Sequence, residues 1–230
     1  MSALEPELYL QPASPEHPSG PDLQYDGDFI ALETASQGKP EQQYGDTIIP
    51  AEPPEWKEMK QLALGLLSRS TDLRVACHLA RASAELDGLA GFCDCLTLIR
   101  GYVSQYWDTV HPQLDPEDNN DPTERVNVVS SLSDRLTTVA QVLRTPLVRS
   151  NVLGTFSMHD VHQARGEAPT IGDNPPPDMA AIEAAFLDCD LDQLRATCSA
   201  ASQGYDDIVA IDATITDQVG AANAASLDQL

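Results

Sequence analysis

Apolar residues recur every three or four positions along much of this chain, the spacing of a helix buried on one side. The first strong stripe covers residues 56–67, the second 75–86 and the third 89–110. Asp72 is expected to cap the second helix, and the Asp87-Gly88 pair to end it. We therefore predict three consecutive amphipathic helices in this part of the chain.

Helical spacing returns after an acidic loop, in residues 126–143, 179–186 and 191–219. Gly204 is expected to split the last of these stripes. Residues 146–162 mix proline, glycine and β-branched side chains, which indicates irregular or briefly extended chain. No strand pattern persists, so the fold class is predicted to be all-α, an antiparallel bundle-like domain of several helices.

Proline, glycine and charge divide the chain into four segments. Residues 1–24 form an irregular, proline-rich N-terminal arm, and residues 25–165 form the main helical domain. Residues 166–178 have the composition of a linker, and residues 179–230 form a helical extension that we expect to pack on the main domain. The arm has apolar residues that could dock on that domain: Leu8, Tyr9 and Leu10.

The formal net charge of the 230-residue chain is −23, from 36 acidic and 13 basic residues. Nucleic acid is thus not an expected partner, because a binding protein must neutralise phosphates with lysine and arginine. An anionic membrane surface would repel the chain for the same reason. Other protein surfaces remain as expected partners.

The N-terminal sequence has neither the basic start nor the apolar core of a signal peptide. The sequence contains no run of about 18 apolar residues, so we expect no membrane insertion. The five cysteines are irregularly spaced, which favours buried thiols in a reducing compartment. Cys189 and Cys198 are interpreted as small core residues. These features predict a cytoplasmic protein.

The segment YWDTVHPQLDPEDNNDPTERVN, from Tyr106 onwards, is the densest cluster of chemically active residue types. A calcium loop would need glycine and glutamate where Asn120 and Val126 stand, so that pattern fails. Asp121 or Thr123 is expected to cap the following helix.

Asp108 and His111 are three positions apart in this segment and could pair on one helix face. No serine or cysteine motif accompanies them to complete a nucleophilic site. A structural role is therefore favoured over a catalytic one, with Tyr106 and Trp107 closing the end of the core.

His159 and His162 are also three positions apart, a spacing that can hold a metal if a further ligand arrives. The H-E-x-x-H pattern and the common phosphate- and dinucleotide-binding motifs are absent, so no cofactor is predicted. A solvated helix face is the favoured interpretation of these two histidines. The alternative is a cytosolic metal-dependent hydrolase that uses His111 or the pair His159 and His162.

Four prolines surround the loop before the first strong helix: Pro40, Pro50, Pro53 and Pro54. Pro54 suits the first turn of that helix, where a missing N–H group has little effect. Two interpretations of the loop stay open. It is either a rigid connector with Trp56 anchored in the core, or an exposed proline and aromatic surface for a partner.

Three blocks of sequence together resemble a known family. They read GPDLQYDGDFIALE, QYGDTIIPAEPPEWKEMKQLALGLLSRSTDLRVA and GYVSQYWDTVHPQLDPEDNNDPTERVN. Their order and spacing resemble the ImpA-type N-terminal domain of the TssA family of type VI secretion components. The likeness covers roughly residues 18–165. Its most specific part is G-D-T-x-x-P-x-E-P-P-x-W followed by Y-W-D-x-x-H-P.

The resemblance implies a cytosolic, non-enzymatic assembly protein that acts with the baseplate and membrane complex and assists tube and sheath growth. It also implies an oligomer-forming C-terminal region beyond residue 230, and no catalytic, cofactor or metal residues. The matched positions are expected to be architectural, and are candidates for a partner surface: Gly45, Asp46, Pro50, Pro53, Pro54, Trp56, Tyr106, Trp107, Asp108, His111 and Pro112. An acidic adaptor unrelated to secretion is a further alternative.

Overall fold

A computed structural model describes residues 4–39, 41–44, 47–169, 175–224 and 226–230. The helices in chain order are α1 (Pro6–Tyr9), α2 (Gly27–Gln37), α3 (Trp56–Leu67), α4 (Leu73–Gln105), α5 (Thr123–Ser130), α6 (Thr138–Leu143), α7 (Met158–Ala164), α8 (Met179–Asp188) and α9 (Leu191–Val219). The strands are β1 (Gln42–Tyr44), β2 (Thr47–Ile49), β3 (Pro146–Ser150) and β4 (Gly154–Ser157). Short 3-10 turns occupy Pro116–Asp118 and Ser131–Ser133.

The described part of the chain is mainly helical, as predicted, but the strict all-α assignment needs correction. Strand β1 pairs antiparallel with β2, and β3 pairs antiparallel with β4. Each strand is only three to five residues long. So short a run gives too few alternations of apolar and polar residues to be recognised as a strand. The extended conformation expected within residues 146–162 is therefore a hairpin.

Helix α4 is a helical hairpin rather than one straight rod. Gly88 lies inside it with φ 74° and ψ −158°, a conformation that suits glycine. Beyond the second half, the carbonyl of His111 accepts a hydrogen bond from the amide of Leu73 at the start of the first half. The two halves therefore fold back on each other, as the expected break at Asp87-Gly88 requires. The Asp72 carboxylate accepts from the amide of Arg74 at 2.8 Å, which confirms the predicted N-cap.

The core is organised around α4, which has buried side chains along both halves. Helix α3 packs against α4 and α2 packs against α3, while α9 lies along α4. The apolar stripe predicted from Trp56 to Leu67 supplies the buried face of α3, with Met59, Ala63, Leu66 and Leu67 inside.

Gly204 does not split α9, contrary to the expectation from sequence. The helix continues through Gly204, which is buried against the second half of α4. A Cβ atom at this position would lie 2.6 Å from the Sγ atom of Cys93. The glycine is therefore needed for the close approach of two helices rather than for a turn.

A buried carboxylate also joins α9 to α4. Asp207 is fully buried, and its side chain accepts a 2.6 Å hydrogen bond from the hydroxyl of Thr97. Its other oxygen lies 2.7 Å from a guanidinium nitrogen of Arg100 and 3.1 Å from the amide nitrogen of Gln203. This network gives the charge several partners, as a buried carboxylate needs.

The cysteines of α4 are buried, as expected, whereas the cysteine of α9 is not. Cys77, Cys93 and Cys95 are buried, and burial raises the pKa of each thiol to about 12. Cys189 is half-buried, whereas Cys198 is exposed, so the interpretation of Cys198 as a core residue is wrong. Among the residues described, no helix is long and apolar enough to cross a membrane.

Candidate functional site

The Y-W-D-x-x-H-P motif forms a turn directly after α4. The helix ends at Gln105, and the amide of Val110 donates to the carbonyl of Tyr106 at 2.7 Å. This turn, residues 106–112, buries Trp107 and His111 and leaves Asp108 at the surface. The predicted role of the two aromatic residues at the end of the core agrees with this burial.

His111 is buried in the 106–112 turn and hydrogen-bonded there. Its amide donates to the carbonyl of Thr71 at 3.0 Å. Its Nε2 atom lies 3.1 Å from the carbonyl oxygen of Gly20, so Nε2 carries the hydrogen, because a carbonyl can only accept. The imidazole is 2% exposed. A ring held in this way is out of reach of a substrate in solution.

The possible pairing of Asp108 with His111 is not formed. No ion pair or hydrogen bond joins these two side chains in the part of the chain that the structure describes. The expectation assumed that the helix continued through both residues, but α4 ends before them. Without the helical repeat, a spacing of three no longer places two side chains together.

Arg125 holds the 106–112 turn, and sequence reasoning missed it. Its Nε atom donates to the carbonyl of Pro112 at 2.6 Å, and its terminal nitrogens donate to the carbonyls of Trp107 and Val110. The guanidinium carbon also lies 5.1 Å from the centroid of the Trp107 ring. Arg125 therefore ties helix α5 to the turn through one side chain.

Burial governs the charge of Arg125, which is 1% exposed. Desolvation lowers the pKa of its guanidinium to about 10, and the nearby Asp108 carboxylate opposes this only in part. One signal in the sequence could have indicated the burial. Arg125 stands four positions before Val129, so it shares the apolar face of α5.

The N-terminal arm is attached to the same region. The hydroxyl of Ser70 donates to the carbonyl of Pro21 at 2.7 Å, and the amide of Thr71 donates to that of Ser19 at 2.8 Å. Farther along, the hydroxyl of Tyr106 donates to the carbonyl of Leu10 at 2.6 Å. The arm is thus built into the turn.

The apolar residues of the arm divide between core and solvent. Tyr9 and Leu10 pack against the core, whereas Leu8 is exposed. Leu10 packs directly against Gly101, where an added Cβ would overlap a methyl carbon of the leucine. The arm therefore depends on a glycine of α4.

The G-D-T-x-x-P-x-E-P-P-x-W motif lies in what we call the proline hairpin, residues 38–56. Lys39 and Glu52 form its base, with two backbone hydrogen bonds of 2.9 Å and a 2.5 Å contact between their charged groups. Gly38 at the base has φ 61°, and a Cβ there would lie 2.6 Å from the carbonyl oxygen of Glu52. Gly45 and Asp46 lie outside the described residues.

The proline hairpin presents apolar side chains to solvent. Ile48 is 59% and Ile49 44% exposed, and Pro50 and Pro53 are exposed as well. Pro54 and Trp56 are half-buried. The Trp56 ring packs against the core, and the guanidinium carbon of Arg81 lies 5.9 Å from its centroid. The hairpin thus has an anchored end and an exposed end.

The other chemical candidates have local structural roles. Asp121 accepts from the amide of Thr123 at 3.0 Å, as predicted, although the N-cap position of α5 is Pro122. Ser157 and Asp160 form a capping box at the start of α7, the helix that contains His159 and His162. Across the described residues, no group of three or more histidine, cysteine or acidic side chains is arranged to hold a metal ion.

Comparison with known proteins gives a consistent result. Residues 10–134 match a family described as ImpA, N-terminal, type VI secretion system. The chain is 40% identical over 228 residues to type VI secretion system component TssA1 of Pseudomonas aeruginosa, which covers 99% of this chain. The chain spans 65% of the length of that relative.

A solved structure is similar over nearly the whole chain. It is the N-terminal domain, including the conserved ImpA_N region, of the TssA component of the type VI secretion system from Burkholderia cenocepacia. The TM-score is 0.74 at 26% sequence identity, and the match covers 98% of this chain and 87% of the other.

Proposed function

Because this chain belongs to the ImpA N-terminal family of the type VI secretion system, we propose that it is the docking part of a scaffold component. In this proposal it acts in the cytoplasm, catalyses no reaction, and holds baseplate or membrane-complex proteins while tube and sheath assemble. Oligomerisation belongs to a region of the parent protein outside this chain. Residues 25–165 form the docking domain, residues 1–24 the arm, residues 166–178 a linker and residues 179–230 a helical extension.

The observation that carries the proposal is that residues of the family motifs are buried and hydrogen-bonded within the domain. Trp107, His111 and Pro112 are buried, and the carbonyls of Trp107 and Pro112 accept hydrogen bonds from Arg125. These residues support a stiff body rather than an open cleft. A stiff body loses little conformational entropy when it binds, so more of the contact energy appears as affinity.

The proline hairpin is the surface that we propose for the partner. Ile48 and Ile49 offer apolar area, and prolines limit the conformations that the loop can adopt. The paired charges of Lys39 and Glu52 and the packed ring of Trp56 fix its base. The proposed occupant is another protein of the type VI secretion system.

Affinity capture from a bacterium with an intact secretion cluster tests this surface. In the full-length parent, the double substitution Ile48→Lys and Ile49→Lys should reduce recovery of secretion proteins at least tenfold, because two charges enter an apolar contact. Val152→Lys is the matched control, because Val152 is 81% exposed in the turn of the other hairpin. Mass spectrometry of the captured proteins gives the readout.

Unchanged recovery with the double variant, in a protein that melts like the parent, would reject the proline hairpin as the docking surface. Equal loss with Val152→Lys would indicate a general effect of added charge and would reject it as well.

A further inference from the structure

A groove of about 420 Å³ lies between α2, the first half of α4, and the segment from α5 to α6. One wall carries Arg74, His78 and Arg81, and the opposite wall includes Glu124, Asn127 and Asp134. The three basic residues are spaced by four and three positions, so they share one face of α4. The groove thus brings basic and acidic residues together in a molecule of net charge −23, and Glu124 lies 3.9 Å from the Arg74 guanidinium.

Arg74 and Arg81 differ in their ion pairs. The Arg74 guanidinium contacts the Asp72 carboxylate at 2.7 Å and that of Asp22 at 3.2 Å. Arg81 is half-buried, yet no carboxylate of the described residues lies within ion-pair distance of it, and its Nε atom is buried without a hydrogen-bond partner. The Trp56 ring is its neighbour on one side.

His78 is also incompletely satisfied. Its Nε2 atom lies 3.7 Å from a carboxylate oxygen of Glu33, and its Nδ1 atom is buried without a partner. Burial lowers the pKa of both His78 and Arg81, and the charge of Arg81 lowers that of His78 further. An unpaired buried donor is unfavourable, and a ligand that supplies an acceptor for the Arg81 guanidinium relieves it.

We propose that this groove binds the carboxylate of a glutamate or aspartate side chain presented by a partner protein. Arg81 supplies a charged donor for that carboxylate, and His78 adds a second donor from Nδ1 only when both ring nitrogens are protonated, since Nε2 faces the Glu33 carboxylate. The partner's identity rests on the proposed docking function, whereas the binding chemistry belongs to this chain alone.

The acidic groups of the groove select a single negative charge. Glu33, Glu124 and Asp134 also line it, so a doubly charged phosphate meets more repulsion than a carboxylate does. Asp134 does not compete fully for Arg81, because its carboxylate accepts hydrogen bonds from the amides of Leu136 and Thr137 at 2.8 and 2.9 Å. A carboxylate on a protein segment therefore fits better than a nucleotide or a phosphopeptide.

Titration of the purified chain followed by nitrogen-15 NMR tests the proposal. The probes are the acetylated and amidated peptide Gly-Ala-Glu-Ala-Gly, its glutamine counterpart, and inorganic phosphate. The glutamate peptide should shift the Arg81 side-chain N–H signal and the His78 ring signals, while the glutamine peptide should not. Arg81→Gln should weaken glutamate binding about tenfold or more, because a charge-assisted hydrogen bond is lost.

Control variants separate a loss of carboxylate binding from a loss of folding. Arg165→Gln removes an exposed arginine just after α7 and should leave the affinity unchanged. Arg81→Lys keeps the charge but loses the forked donor, so its affinity should lie between those of the parent and Arg81→Gln. The dispersion of the backbone amide signals reports whether each variant is folded.

Equal binding of both peptides, tighter binding of phosphate, binding unaffected by Arg81→Gln, or no binding at all would each overturn the carboxylate site. Failure of the capture experiment with the proline hairpin, alongside intact glutamate binding, would instead reject the proposed docking surface and leave this site in place.

Discussion

Among individual residues, Arg125 connects several parts of the fold through one side chain. One buried guanidinium joins α5 to three carbonyls of the 106–112 turn and stacks on the Trp107 ring. Its lowered pKa shows that burial is unfavourable for the charge itself. The contribution of Arg125 to stability therefore comes from the carbonyls that it satisfies, since each would otherwise be buried without a donor.

Arg125→Met tests this role by keeping the length of the side chain and removing its donors. We expect the free energy of unfolding to fall by about 3 kcal/mol, because three buried carbonyls lose their partners while the desolvation of the charge is relieved. Urea denaturation followed by circular dichroism measures the change. The exposed Arg144 provides the control, and Arg144→Met should change stability by less than about 0.5 kcal/mol.

A loss below about 1 kcal/mol for Arg125→Met would contradict this view of the turn, since it would mean that the carbonyls find other partners or water.

The central feature among the helices and strands is the close contact of α9 with α4. Gly204 permits that approach at Cys93, and Asp207 fixes it by accepting from Thr97 and pairing with Arg100. The other buried residues of α9 are Ile211 and Ile215, and most of its exposed positions carry polar or small side chains. The register of α9 on α4 therefore depends on a few residues near its middle.

Gly204→Ala should destabilise the protein by about 1–3 kcal/mol, because the new Cβ would overlap the sulfur of Cys93. Gly65→Ala is the matched control, since Gly65 lies in α3 with no atom within 4 Å of an added Cβ. That control should be neutral or stabilising by up to about 1 kcal/mol, because alanine favours helix. Thermal and urea unfolding of both variants give the comparison.

A second substitution separates the clash from other effects. Cys93→Ala should restore much of the stability lost in Gly204→Ala, since it removes the overlapping sulfur. If the double variant were no more stable than the sum of the two single losses, the close contact would not be the cause.

Local features of the fold were predictable from the sequence, and contacts between distant segments were not. The stripe from Trp56, the cap at Asp72 and the break at Gly88 depend on neighbouring residues alone. The role of Gly204 depends on Cys93, more than a hundred positions away. The strand pairing of the two hairpins was not predicted, and residues 146–162 were expected only to be irregular or briefly extended, because the strands are too short to show an alternating pattern.

The candidate site shows the same division between predictable local features and unpredictable contacts between distant segments. Motif residues such as His111 were predicted to be architectural, but their hydrogen-bond partners Gly20 and Arg125 belong to other segments of the chain and could not be predicted. The spacing of Arg74, His78 and Arg81 is visible in the sequence. Only the packing of α5 and α6 opposite them shows that these side chains line a groove.

The whole molecule carries far more negative than positive charge, and its surface reflects this imbalance. Several basic residues are paired with carboxylates, as in the contacts of Lys60 with Asp87 and Arg69 with Asp26. The 36 acidic residues far outnumber the 13 basic residues that could pair with them. Mutual repulsion of the remaining carboxylates opposes the compact state.

Salt should therefore stabilise the folded chain. Raising sodium chloride from about 0.01 M to about 1 M shortens the screening length from about 30 Å to about 3 Å, which weakens repulsion between exposed carboxylates. We expect Tm to increase along this series in differential scanning calorimetry. Choline chloride at equal ionic strength serves as a control for specific binding of sodium.

A fall in Tm with either salt would indicate that the exposed ion pairs outweigh the general repulsion, contrary to this expectation.

The pairing of α4 with α9 has a consequence for synthesis on the ribosome. Thr97 and Asp207 are 110 positions apart in sequence. At roughly 5–20 residues per second, translation takes about 5–20 s to cover that distance. During this interval the flank of α4 that α9 later covers, including Cys93 and Leu96, is open to water in every nascent chain. Any factor that protects newly made chains of this protein should recognise that flank.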